Sequence, residues 1–216
     1  SCDCGVAGEL QRSNIECCQN KENVTGRNRV GGIIGNAQEC QIISSANTSK
    51  ILSTGGRLGG IAGMIADNSK IEKCYSTGYL ENSSSEVTVG GICGYAANST
   101  ISESYCTGIV NVYDAEEVAG VLGWATPATV KNCVAINPRV YSQLGDGSKL
   151  KRVTSSLLGE SYLINNYGFE RTYLNTTLVS PGALDGQNGL NASLAQLTSE
   201  TFYTTTGNWE DRKSVV

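Results

Sequence analysis

Apolar residues along this chain come in short, mostly aliphatic pieces, separated by clusters of Gly, Asn, Ser and Thr. "GGIAGMIADNSKIEKCYSTGYL" (residues 59–80) and "GGICGYAANSTISESYCTGIV" (residues 90–110) are nearly one line written twice. No stretch before residue 190 carries a sustained 3.6-residue stripe, so the pieces read as strands.

A Gly–aliphatic–any–Gly pattern recurs at Gly5–Gly8, Gly32–Gly35, Gly60–Gly63, Gly91–Gly94 and Gly120–Gly123, with a degenerate copy at Ser156–Gly159. The closing glycines are 27, 28, 31, 29 and 36 residues apart. Seven or eight residues past the glycine come Ile15, Ile42, Ile71, Ile101 and Val130; in the last copy Leu163 comes only four past it. Three residues further on stand Cys18, Ser45, Cys74, Ser104, Cys133 and Asn166. A third apolar patch, at Val24, Ile51-Leu52, Leu80, Ile109-Val110 and Val140, closes most units.

One such unit cannot bury its apolar face alone, but stacked copies can. The prediction is an all-β chain: a parallel β-solenoid (β-helix) of about six three-strand coils over residues 1–179. Ile33, Ile61, Ile92 and Val121 should form one buried ladder, with Val6 below Ile33. The glycines are expected to turn the coil at positive φ. Residues 180–216 break the pattern and read as a short, partly helical C-terminal cap, with a capping box at Ser193–Gln196 and Trp209 as apolar anchor.

The line "VGGI-x-G … I-x-x-C-Y-S-T-G" resembles the GLUG repeat of bacterial secreted and surface proteins. "VKNCVAINPRV … RVTSSLLGESYLINNYGF", with "DGQNGL … LTSETFY…GNW", is similar to the C-terminal part of such proteins in gut anaerobes. The likeness runs from Cys4 to Trp209. It implies a β-solenoid in an extracellular or cell-surface, adhesin-like protein. Similar repeats also form non-catalytic segments of large IgA peptidases, whose zinc site has no counterpart in a chain without His.

Composition narrows the chemistry. The 216 residues include 26 Gly and only 2 Phe, which suits a core of small and medium aliphatics. A net charge of −4 argues against nucleic acid or an anionic membrane as partner. The longest apolar runs are too short for a transmembrane segment. No signal peptide is visible, so a mature chain or an excised region is expected. The absence of His removes Ser-His-Asp and Cys-His catalysis and imidazole metal sites.

A lyase or hydrolase on this scaffold would need converging carboxylates. Asp67, Asp114, Glu116, Glu117, Asp146 and Asp185 share no repeat offset, so they read as solvated turn charges. Ranks of Thr suited to ice binding are also missing, since only Thr77 and Thr107 align as neighbours. No catalytic set, cofactor or metal is expected.

Five of the 9 cysteines fall in the first 40 residues, at Cys2, Cys4, Cys17, Cys18 and Cys40, in no zinc or iron–sulfur spacing. A disulfide joining Cys2 or Cys4 to Cys17 or Cys18 stays open. The Cys/Ser/Asn column reads as a buried, semi-polar site of free thiols. One residue past it, Tyr75, Tyr105 and Tyr167 either form an exposed aromatic rank that faces a ligand, such as a host or microbial glycan or a surface protein, or cover the shoulder of the coil. Little sequence precedes coil 1, and its open strand edges would pair with an upstream domain or a second copy.

Overall fold

The computed structural model describes residues 2–85, 87–114, 117–145 and 147–209, with the side chains of Cys2, Asp3 and Cys4 outside the described part. The chain is an all-β solenoid in which each coil stacks in parallel register on the next. Among the described residues six coils contribute to five sheets. Coil 3 shows the path: Arg57–Gly59, Ala62–Ala66, Lys70–Glu72, Tyr75–Ser76 and Leu80–Asn82. These strands belong to sheets 1 to 5 in that order.

Each coil therefore holds five short strands where the sequence pattern predicts three pieces. The first piece breaks at Gly60–Ile61 and the second at Lys73–Cys74. At the second break every coil has a left-handed residue: Cys17, Ser44, Lys73, Glu103, Asn132 and Asn165, with φ of 47–54°. None is Gly, although the conformation costs an L-residue about 1–2 kcal/mol; the six corners stack one above another, so neighbouring coils hold each in place.

The doublet glycines, by contrast, are not left-handed. They are needed for space. A Cβ on Gly90 would stand 2.6 Å from the Val121 carbonyl oxygen and 2.8 Å from the Gly123 nitrogen. One on Gly60 would stand 2.5 Å from Ser76 Cβ, and one on Gly91 2.6 Å from Cys106 Sγ. The coil is pinched there into two lobes, each with its own apolar core. One lobe buries Ile33, Ile61, Ile92 and Val121 with Ile42, Ile71, Ile101 and Val130. The other packs Val30, Leu58, Val89 and Val118 with Ile51, Leu80, Val110 and Val140.

The predicted aliphatic ladder is present: the amides of Ile33, Ile61 and Ile92 donate to the carbonyls of Ile61, Ile92 and Val121 at 3.0, 2.9 and 2.9 Å. All four side chains are fully buried. Val6, at the end of the stack, is instead 47 % exposed.

The register of coil 6 differs from the sequence assignment. Leu122 pairs with Thr154, Trp124 with Ser156 and Ala125 with Leu157, so Gly120–Gly123 aligns with Arg152–Ser155 and not with Ser156–Gly159. Leu163 then lies eight residues past Ser155, which restores the regular offset. Arg152 occupies the waist position held by glycine in the coils below, where the chain crossing above leaves room for a side chain. Its guanidinium is buried and donates to the carbonyls of Asn188 (2.8 Å), Gly168 (3.0 Å), Phe169 (2.8 Å) and Gly189 (2.9 Å), and to Asn191 Oδ1 (2.6 Å). Burial lowers its pKa to about 10, so it remains cationic at neutral pH.

The crossing chain seals this end. Gln187 O accepts from the amides of Val153 and Thr154, and Leu184 O accepts from Asn166. Leu190–Ala192 adds to sheet 4 beside Tyr167–Phe169. The capping box on Ser193 forms and starts the helix Leu194–Leu197, followed by a π-helical turn at Phe202–Thr206. These turns lie along the outer face of sheet 4, where Leu197, Phe202, Tyr203 and Trp209 pack on Val134 and Tyr167. The cap is thus a strap along the side as well as a lid on the end. No helix among the described residues is long and apolar enough to cross a membrane.

Candidate functional site

Of the three predicted site tyrosines, Tyr75 and Tyr105 are neighbours in sheet 4 and stack with ring centroids 5.2 Å apart and planes 7° apart. Val134 follows Tyr105 in the ladder and separates it from Tyr167. Tyr167 is buried, packs edge-on against Phe202 at 5.0 Å, and its hydroxyl donates to Thr206 O at 3.4 Å. Tyr105 meets Trp209 at 6.2 Å. Trp209 in turn donates from its indole nitrogen to Asn132 O at 2.8 Å. Of the two readings the sequence leaves open, a continuous ligand-facing rank does not form. Tyr167 serves the cap, and only Tyr75 and part of Tyr105 remain on the open face.

A second set of side chains comes together where sheets 1 and 2 meet. The outward positions of sheet 2 are Glu9, Asn36, Met64, Tyr95, Trp124 and Ser156, each in register with the next. Those of sheet 1 include Arg29, Arg57, Thr88 and Glu117. The two rows touch. The Arg57 guanidinium lies 3.9 Å over the Tyr95 ring, and its Nη1 is 2.6 Å from Met64 Sδ. Tyr95 and Trp124 pack edge to face at 6.1 Å.

Polar groups at this junction are incompletely paired. Asn36 Nδ2 donates to Glu9 at 2.7 Å, but Asn36 Oδ1, Thr88 Oγ1 and Trp124 Nε1 are buried without a protein partner. Burial lowers the Arg57 pKa, and no carboxylate among the described residues forms an ion pair with Arg57 or Arg29. Glu117, by contrast, accepts from Ser155 Oγ at 2.5 Å and lies 4.0 Å from Lys149 Nζ. The junction brings Trp124, a planar cation stacked on Tyr95 and buried hydrogen-bonding atoms without protein partners into one place, which is equipment suited to a flat, polar ligand.

The sequence carries a signal for this groove. Glu9, Asn36, Met64, Tyr95 and Trp124 each directly follow a closing glycine. Because the residue type changes from copy to copy, a search for repeated identities passes over the position.

A concavity of about 490 Å³ at the corner of sheets 2 and 3 is lined by residues such as Lys70, Thr100, Thr129 and Tyr162. Its Lys70 is already paired with Glu72 at 2.8 Å. Cys17 is exposed, Cys18 is half-buried, and Cys40, Cys74, Cys93, Cys106 and Cys133 are buried; all are free thiols. The side chains of Cys2 and Cys4, the proposed disulfide partners, lie outside the described residues, as do Glu116 and Asp146. Burial pushes Cys74, Cys93 and Cys133 up to about 12 and Cys106 to about 11, so these thiols stay protonated and unreactive at neutral pH. Among the described residues no three metal-binding side chains cluster. No protein-family model, curated protein or solved structure significantly matches the chain.

Proposed function

We propose that this chain is a non-catalytic recognition module of an extracellular or cell-surface, adhesin-like protein, and that it binds glycans through the groove between sheets 1 and 2. One observation carries the reading: Arg57, Tyr95 and Trp124 form a contiguous half-buried surface beside polar atoms that lack protein partners. Aromatic faces suit the apolar C–H face of a sugar ring, and unpaired donors and acceptors suit its hydroxyls. The stacked coils act as a rigid frame, which limits the ordering cost of binding. The resemblance to the GLUG repeat supports the surface location, and the lack of His supports a role without chemistry.

A glycan array probed with the intact chain tests the proposal. Retention of defined glycans, lost in Trp124→Ala and unaccompanied by turnover, is the expected outcome. Turnover abolished by replacing an Asp or Glu would replace this reading with that of a carbohydrate-active β-helix.

A further inference from the structure

Arg29 and Arg57 occupy the same outward position on adjacent coils and pair in register. Strands in a sheet lie ~4.8 Å apart, so two guanidinium groups share one short stretch of the groove. Like charges this close repel, and the chain as a whole is acidic, with 20 Asp and Glu against 16 Lys and Arg. Carboxylates are therefore plentiful, yet among the described residues none forms an ion pair with either arginine.

The pose of Arg57 sharpens the point. Its planar group lies flat on Tyr95, and one nitrogen meets a thioether sulfur, a weak acceptor. A guanidinium has five N–H donors in a rigid fork that matches a carboxylate with two parallel bonds. Half-buried beside Met64 and Tyr95, that fork would bind an anion more strongly than a fully solvated one.

We propose that Arg29 and Arg57 make this groove selective for carboxylated glycans, such as uronate- or sialate-containing chains. The carboxylate is received by the Arg57 fork with Arg29 alongside, and the sugar ring extends past the Arg57–Tyr95 stack towards Trp124. The inference rests on the glycan reading above but adds a charge requirement that the reading alone does not contain.

Titration calorimetry on the intact chain tests it with trigalacturonate and 3′-sialyllactose, each against its own methyl ester. The ester keeps the rings and removes the charge. At least one acid should bind about tenfold or more tightly than its ester, and added salt should narrow the gap. Arg57→Gln and Arg29→Gln should each shrink the ratio of acid to ester affinity. Arg57→Lys, which keeps charge and loses the fork, should recover it only in part. Equal binding of acid and ester, or a preference untouched in both Gln variants, overturns the charge inference and leaves the glycan reading standing. Absence of binding by all four probes overturns the charge inference, and an empty glycan array overturns the glycan reading with it.

Discussion

The amide of Cys74 donates to the hydroxyl of Ser104, 3.1 Å away at the same position of the next coil. The arrangement continues along the stack. Cys18 donates to Ser45 Oγ at 3.2 Å, Ser45 to Cys74 Sγ at 3.4 Å, and Cys133 to Asn166 Oδ1 at 3.0 Å. Each amide follows a left-handed corner that interrupts the strand ladder, so a side chain supplies the acceptor. The hydroxyl or thiol must also dispose of its own hydrogen, and it does so on the carbonyl two residues back: Ser45 to Ile43 O at 2.9 Å, Cys74 to Glu72 O at 3.2 Å, Ser104 to Ser102 O at 2.8 Å. Only a short side chain that both donates and accepts fits, which explains why Cys, Ser and Asn share the column.

Ser104→Ala tests this directly. The substitution leaves the buried Cys74 amide without an acceptor and should cost about 1–3 kcal/mol. Ser104→Cys preserves the pattern and should cost clearly less. Urea denaturation of both variants gives the comparison; equal losses would show that volume, not hydrogen bonding, governs the column.

The aliphatic ladder makes a stronger demand. Ile61 is fully buried between Ile33 and Ile92, and Ile61→Asp would place a charge where no partner or water is available. The expected cost is several kcal/mol, enough to abolish a cooperative transition, whereas Ile61→Val should cost about 0.5–1.5 kcal/mol. Circular dichroism melts separate the two. An Asp variant that melts like the parent would mean that Ile61 does not point into the core.

These two columns were legible in the sequence because one residue class recurs in each at a near-constant offset. Other features left no such trace. The corner after sheet 3 is occupied by Cys, Ser, Lys, Glu and Asn in turn, so nothing marks a break and two strands read as one piece. The sixth coil hid because its waist residue is Arg152 in place of glycine, and Gly159, a left-handed turn residue with φ of 64°, offered a false match. The tyrosine offset was legible, but the strap that buries Tyr167 comes from residues 194–209, remote in sequence. The outward column of sheet 2 varies in residue type from Glu9 to Trp124, because side chains outside the two apolar cores are not held to one class by packing.

Thiol ionisation should set the alkaline limit of stability. Burial pushes Cys74, Cys93 and Cys133 from the usual 9.0 up to about 12 in the folded chain. Below about pH 9 both states hold these protons and the thiols contribute no pH dependence. Between about pH 9 and 12 the unfolded chain releases protons that the folded chain keeps, so stability falls as pH rises, by roughly 1 kcal/mol per pH unit for each thiol. Denaturation midpoints measured from pH 8 to 11 check the sign; a shallower fall in a Cys93→Ala, Cys133→Ala variant, which keeps the raised Cys74 and Cys106, would tie part of the effect to these groups, and an unchanged slope would count against them. Iodoacetamide with mass mapping adds a second reading, in which exposed Cys17 labels in the native chain and Cys74, Cys93 and Cys133 label only on unfolding.

Arg152 governs the sealed end of the stack. Its guanidinium binds four carbonyl oxygens and one side-chain amide oxygen from segments that are far apart in sequence, Gly168–Phe169 and Asn188–Asn191. Arg152→Met keeps much of the length and removes every donor, leaving buried carbonyls unpaired at about 1–3 kcal/mol each where water cannot reach them. Because coils in a solenoid interact mainly with their neighbours, the damage should stay local. Hydrogen exchange should quicken in residues 182–192 and in coil 6, while the amides of Ile33, Ile61 and Ile92 keep their protection. Arg152→Lys, with three donors on a compact head, should fall between the parent and Met. Uniform loss of protection along the whole chain would mean that the solenoid unfolds as one unit, and unchanged exchange over 182–192 would mean that the crossing chain is held by its backbone bonds to Val153 and Thr154 and not by Arg152.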